Sequence, residues 1–312
     1  MDLNELQESV EILHRDLLHH RAEITRARPD FEVRIGRYLS ASKPFEVRPL
    51  ASDAAFEFTE PNHFVFNANA FAAFHKPIDE LERADGIDAQ AAMDARQMAI
   101  EQLVLHELAH VGIGLVHFED VQPFKEMVGV NALAEVDVVA DGTAAHICAV
   151  LETLRAGERG PTALARRYLH QLMLMGSFAF PAFHAPPDKP HKRRRFLGVT
   201  MMAARVKAHL DAGVLPDVDA GELPLYAPIY PYTGDKGDIL VCAFNPDRVL
   251  WGRKAKVDKN LLALTMDELD SSTFAVSLDR ATRLLQQIGP LLCAPAQIGA
   301  RHGVSEEVAS GR

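Results

Sequence analysis

The chain has 312 residues, 48% hydrophobic and 24% charged, a make-up ordinary for a soluble globular protein and long enough for one large core or two. Its formal net charge of −10 argues against a general nucleic-acid-binding surface, which is normally basic. Three dispersed cysteines (Cys148, Cys242, Cys293) argue against a disulfide framework; with a charged N-terminal stretch and no run of about 18 apolar residues, they predict a cytoplasmic protein without a membrane partner.

Leu3, Leu6, Val10, Leu13, Leu17 and Ile24 fall near helical spacing and predict an amphipathic helix over residues 3–27, ended by Arg28-Pro29. Within residues 43–67, the segments PFEVRPL, AAFEFTE and HFVFN are short, rich in Phe and Val, and broken by Pro or Asn. They predict two or three strands of a small sheet. Residues 77–88 read as a polar connection. From Ala89 to Val111 the helical pattern returns, with Asp88 as N-cap and Gly112 and Gly114 at its end.

A loop with Pro123 and Gly129 leads to a second helix, Ala132 to Ala156, weakened by Gly142 at about 1 kcal/mol relative to alanine. Residues 162–180 and 193–212 read as helices around a Pro-rich basic turn. Residues 213–236, with Tyr226, Tyr230 and Tyr232, read as irregular. DILVCAF and RVLWG read as strands, and Ser277 to Leu291 as a helix. The expected organisation is an N-terminal helical segment (1–42), a core (43–160) and a mostly helical C-terminal region (161–312). A boundary near residues 180–192 is weakly marked.

Leu105-His106-Glu107-Leu108-Ala109-His110 is an HExxH motif inside the helix predicted over 89–111. Residues four apart share one helical face, with Cβ atoms about 5–6 Å apart, so two imidazoles can converge on one zinc ion. Glu107 sits beside the metal rather than on it, where it can take a proton from a zinc-activated water. With fourteen histidines, chance alone yields such a motif in about one chain in twenty of this composition. Its helical setting, the β-rich segment before it and the glycines after it favour a metal site over a coincidental surface pair.

On this motif, residues 45–150 resemble the zincin metallopeptidases. The resemblance implies an α+β, zincin-like core in which a small sheet lies over the HExxH helix. It also implies a peptide or protein substrate added along the last strand, for which His63–Asn67 is the candidate; an ordinary sheet edge with Phe64 and Phe66 in the core is at least an equal alternative. In the gluzincin subgroup the third ligand comes from a later helix as ExxxD, often ExxAD, whose second acid orients a histidine ligand. Asp137-Val138-Val139-Ala140-Asp141 matches it with Asp for Glu, as in the aspzincin subgroup. The implied metal set is therefore His106, His110 and Asp137, with Zn2+ as cofactor. Glu135 and His117 remain alternative third ligands; the metzincin pattern fits less well, because Gly114 and His117 each fall one residue late. The layout is also similar to the ImmA/IrrE class of bacterial intracellular metallopeptidases.

The expected activity is hydrolysis of a peptide bond, with Glu107 as general base. The alternative is a regulatory or binding protein with a structural or vestigial metal site. His146 reads as a core or surface histidine more readily than as a site residue. The basic run Lys192-Arg193-Arg194-Arg195 reads as a solvated helix start and leaves open a nucleic-acid partner. Cations at a helix N-terminus oppose the dipole, which hints at another purpose. Tyr226, Tyr230 and Tyr232 read as packing residues, with a transition-state donor among them as the alternative.

Overall fold

The computed structural model describes residues 2–28, 31–39, 45–52, 54–59, 63–84, 86–113, 132–176, 190–215, 229–232, 238–245 and 248–256. The first helix, α1 (Leu3–His19), opens with a reciprocal cap. The Asp2 carboxylate accepts from the Asn4 and Glu5 amides, and Glu5 accepts from the Asp2 amide at 2.6 Å. Leu6, Val10, Leu13 and Leu17 bury its inner face. The helix expected over 3–27 is broken at His20, whose backbone leaves helical geometry (φ −97°, ψ 17°), and resumes as α2 (Arg21–Ala27). A π-helical turn (Glu32–Gly36) and the short α3 (Arg37–Leu39) follow.

Of the two or three strands expected, three form: β1 (Glu46–Arg48), β2 (Phe56–Thr59) and β3 (His63–Asn67). Their order is β1-β3-β2, with β1 parallel and β2 antiparallel to β3. Phe56 lies opposite Phe66 and Phe58 opposite Phe64, so alternate phenylalanines build one aromatic face. Phe45 joins it, with its ring centroid 5.5 Å from those of Phe64 and Phe66. The candidate substrate strand His63–Asn67 is thus the central strand, and its backbone is already paired on both sides. An added strand has only the outer edges of β1 and β2 to join. The alternative stands in placing Phe64 and Phe66 in the core and is corrected in one respect: the strand is central rather than an edge.

Residues 77–88 are not simply a connection. Helix α4 (Ala68–Arg83) runs through Pro77, because Phe71, Phe74, His75 and Ile78 form a buried i, i+3, i+4, i+7 stripe. The Asn67 side chain caps it by accepting from the Asn69 amide, and also holds the preceding loop through Leu50, Ser52 and Ala54. Burial of that stripe outweighs the hydrogen bond a helical proline forfeits.

Helices α5 (Ala89–Ile113) and α6 (Ala132–Arg155) form the centre. Asp88 caps α5 as expected, accepting from the Ala91 amide at 2.7 Å, and the helix continues through Gly112. Ile100, Leu103, Val104, Leu105, Leu108 and Ala109 are buried on α5, and Val138 through Val150 on α6. Helices apolar on nearly every side must be wrapped by others. Accordingly α5 and α6 pack chiefly on each other, α4 and α1 cover α5, and α7 (Pro161–Leu174) and α8 (Pro190–Ala212) cover α6. The sheet packs chiefly on α1 and α4. The expectation of a sheet lying over the motif helix is corrected to this extent: the main partner of α5 is another helix.

Beyond α8, β4 (Ile229–Tyr232), β5 (Asp238–Asn245) and β6 (Arg248–Lys256) form an antiparallel sheet in that order. The strands expected in DILVCAF and RVLWG are present. The segment expected to be irregular contributes β4, whose Pro231 is tolerated on an edge strand. Among its described residues, the C-terminal region is helical through α8 and then forms these strands. The helix expected over 277–291 lies outside the described residues. The whole is α+β, and among the described residues no helix is long and apolar enough to cross a membrane.

Candidate metal centre

His106 and His110 lie one turn apart on α5, and Asp137 and Asp141 one turn apart on α6. His106 Nδ1 is 2.8 Å from Asp141 Oδ1, and His110 Nε2 is 3.1 Å from Asp137 Oδ1. Advancing along α5 thus means retreating along α6, as antiparallel helices require. A spacing of four on each helix makes the two pairs face each other.

The two imidazoles meet with Nε2 atoms 2.8 Å apart and rings nearly perpendicular at 80°. One donor atom from each of His106, His110 and Asp137 lies within 4.8 Å of the others, and the group can hold a metal ion. Tetrahedral ligands at about 2.0–2.1 Å from zinc stand roughly 3.3 Å apart. The observed separations of 2.8 and 3.1 Å need only small side-chain adjustments to reach that spacing. Two imidazole nitrogens and a carboxylate oxygen are also a donor set that zinc accepts.

Asp137 is the acid brought to the histidines. The Glu135 side chain and His117, the alternative third ligands, lie outside the described residues. Glu107 is half-buried on the neighbouring face of α5, and its charge acts on Arg195.

Asp141 is fully buried and bound by Arg195 of α8 through both oxygens, at 2.5 Å (Nε to Oδ2) and 2.6 Å (Nη2 to Oδ1). Burial works to raise its pKa, but Arg195 and His106 outweigh this and hold the carboxyl at about 2. Burial likewise opposes ionisation of Asp137, and the His110 hydrogen bond with the charges of Arg195 and His106 carries it below the ordinary value. Both acids are therefore anionic at neutral pH, as ligation and second-sphere anchoring require. Burial works to lower the pKa of Arg195, but Asp141 outweighs it and raises the value.

Two glycines lie where α8 meets α6. Gly142 of α6 packs against the flexible end of Met202, whose Sδ would lie 2.8 Å from an added Cβ and would have to move aside. Gly198 of α8 meets Val138 of α6 more closely.

The basic run does not act as one solvated unit. Arg195, half-buried, turns towards the centre; the side chains of 192–194 lie outside the described residues. Its part in the site was the main feature the sequence reading missed, and the only signal was a cation cluster placed against a helix dipole. His146 packs against Tyr168, with ring centroids 5.7 Å apart, and is a core residue. Tyr226 lies outside the described residues, as do the side chains of Tyr230 and Tyr232 on β4.

No protein-family model, curated protein or solved structure matches the chain.

Proposed function

We propose that this chain is a zinc-dependent metallopeptidase. The observation that carries the reading is the convergence of His106, His110 and Asp137 on one point, with Glu107 following the first histidine on the same helix. The HExxH spacing and the ExxAD-like spacing are independent sequence features, and their meeting on antiparallel helices is what a chance HExxH would lack.

His106 Nε2, His110 Nε2 and an Asp137 oxygen would hold the ion. Zinc so held supplies a Lewis acid that lowers the pKa of a water and polarises a carbonyl. Glu107 takes the proton of the attacking water and passes it to the leaving amine. Asp141, its charge paired with Arg195, fixes His106, and Asp137 brings a negative charge to the ion.

The test pairs the wild type with Glu107→Gln. Both should bind one zinc per chain by elemental analysis. Only the wild type should generate new N-termini in a mixed peptide library read by mass spectrometry. Equal cleavage by Glu107→Gln would overturn Glu107 as the base. Bound zinc with no cleavage by either protein would make the site structural and the chain a binding protein.

A further inference from the structure

We infer that Arg195 is a positioning residue for the metal centre, acting through Asp141 to hold His106 in the one tautomer that can ligate; this rests on the metallopeptidase reading. The Asp141 carboxylate is wholly buried, and a charge in that position is tolerated only when paired and hydrogen-bonded. Arg195 supplies a two-pronged grip, with Nε on one oxygen and Nη2 on the other. Oδ1 is shared, because it also faces His106 Nδ1 at 2.8 Å.

The sharing decides the tautomer. Nη2 lies 3.3 Å from His106 Nδ1, and a guanidinium can only donate. Two arrangements are conceivable. If Nδ1 lacked its proton, it could accept from Nη2, but its lone pair would then face a carboxylate oxygen 2.8 Å away, and Nε2 would carry the proton that blocks ligation. If Nδ1 carries the proton, both it and Nη2 donate to Oδ1, and Nε2 presents a lone pair towards His110 and Asp137. The 2.6 Å contact from Nη2 to Oδ1 is the shorter of its two, which favours the second arrangement.

The anchoring is one-sided. His110 Nδ1 is buried and meets no hydrogen-bond partner among the described residues, so His106 is the ligand with a built support. That support comes from α8, the helix that begins with the basic run. It reaches Asp141 because Gly198, three residues beyond Arg195, lets the helices touch.

The experiment uses full-length protein labelled with 15N-histidine, together with zinc affinity measured against a chromophoric chelator. In metal-free wild type, the His106 ring, assigned by its loss in His106→Gln, should show the Nδ1–H tautomer. Arg195→Met should mix the tautomers and weaken zinc binding by about 10–100-fold. Arg195→Lys keeps a charge without the fork, and should fall between the two while preserving the fold. Adding Arg195→Met to Asp141→Asn should weaken binding no further than Asp141→Asn alone.

Wild-type tautomer and affinity in both Arg195 variants would overturn the proposal, even if thermal stability fell. So would an Nε2–H ring in the wild type. Should the protein bind no zinc, the metallopeptidase reading fails, while the tautomer measurement on metal-free protein still decides the role of Arg195. Should Arg195→Met not fold, Arg195→Lys carries the same two readouts.

Discussion

Gly198 of α8 and Val138 of α6 lie so close that a Cβ at residue 198 would sit 2.4 Å from Val138 Cγ1. Both partners are rigid: one is backbone, the other a β-branched side chain held in the core. Gly198→Ala should therefore force the helices apart and destabilise the protein by about 1–3 kcal/mol, although alanine is the better helix former. Urea unfolding measures this. A neutral or stabilising effect would show that the close approach is not required.

Metal content should separate the acids. Wild type should bind zinc stoichiometrically, and His106→Ala, His110→Ala and Asp137→Ala should each lose it, since three donors converge and no other described group joins them. Glu135→Ala should retain it. Loss of zinc in Glu135→Ala with retention in Asp137→Ala would exchange the assignment of the third ligand.

The buried histidines should weaken stability as the medium is acidified below pH 6.5. Burial lowers the pKa of His14, partly offset by the Leu39 carbonyl, and of His75, partly offset by Asp79. It lowers that of His146 far more, with the Arg28 charge adding to it. A group depressed in the fold binds its proton more readily when unfolded. Its contribution is present above the ordinary value of 6.5 and is lost as pH drops towards the folded value. On acidification from about pH 7 to about pH 5 the thermal midpoint of metal-free wild type should drop relative to that of His146→Phe, by roughly 2–4 °C per kcal/mol lost. Parallel profiles for the two proteins would contradict the burial of the His146 ring.

Glu101 gives a pH effect of the opposite sign. It is 1% exposed on α5 and held by Arg155 Nη1 at 2.9 and 3.1 Å, while the other side of the guanidinium grips Asp16 of α1. Burial raises the Glu101 pKa, with Arg155 opposing. Its stabilising contribution is thus complete below 4.5 and is lost as pH rises through the folded value. Arg155→Met should cost about 1–3 kcal/mol at neutral pH, moderated because Arg155 is itself 35% exposed. The gap from wild type should widen with pH above 4.5. A constant gap would mean that the Glu101 pairing adds nothing, leaving packing and the Asp16 pair as the contribution of Arg155.

The local elements were legible wherever one short-range rule dominated. Asp88 as N-cap, the two central helices and the Phe-rich strands follow from capping, helical periodicity and β-propensity, which depend on residues a few positions apart. The rule failed at Pro77, where a buried stripe overrode a helix breaker, and at β4, where an edge position excused a proline. Neither override is visible without knowing what the segment packs against.

For the site, the sequence by itself determined the donor types and their spacing of four on each of two helices. It named both acids on α6 and assigned Asp141 an orienting part through the zincin resemblance. Tertiary structure alone decided that these helices run antiparallel in the register that joins 106 to 141 and 110 to 137. It also decided that His63–Asn67 is a central strand, and that a cation 54 positions after Asp141 closes the network. The reason is physical: helical spacing fixes which side chains share a face, but the neighbour of that face is chosen by packing between helices, here by Gly198 against Val138, which no local pattern encodes.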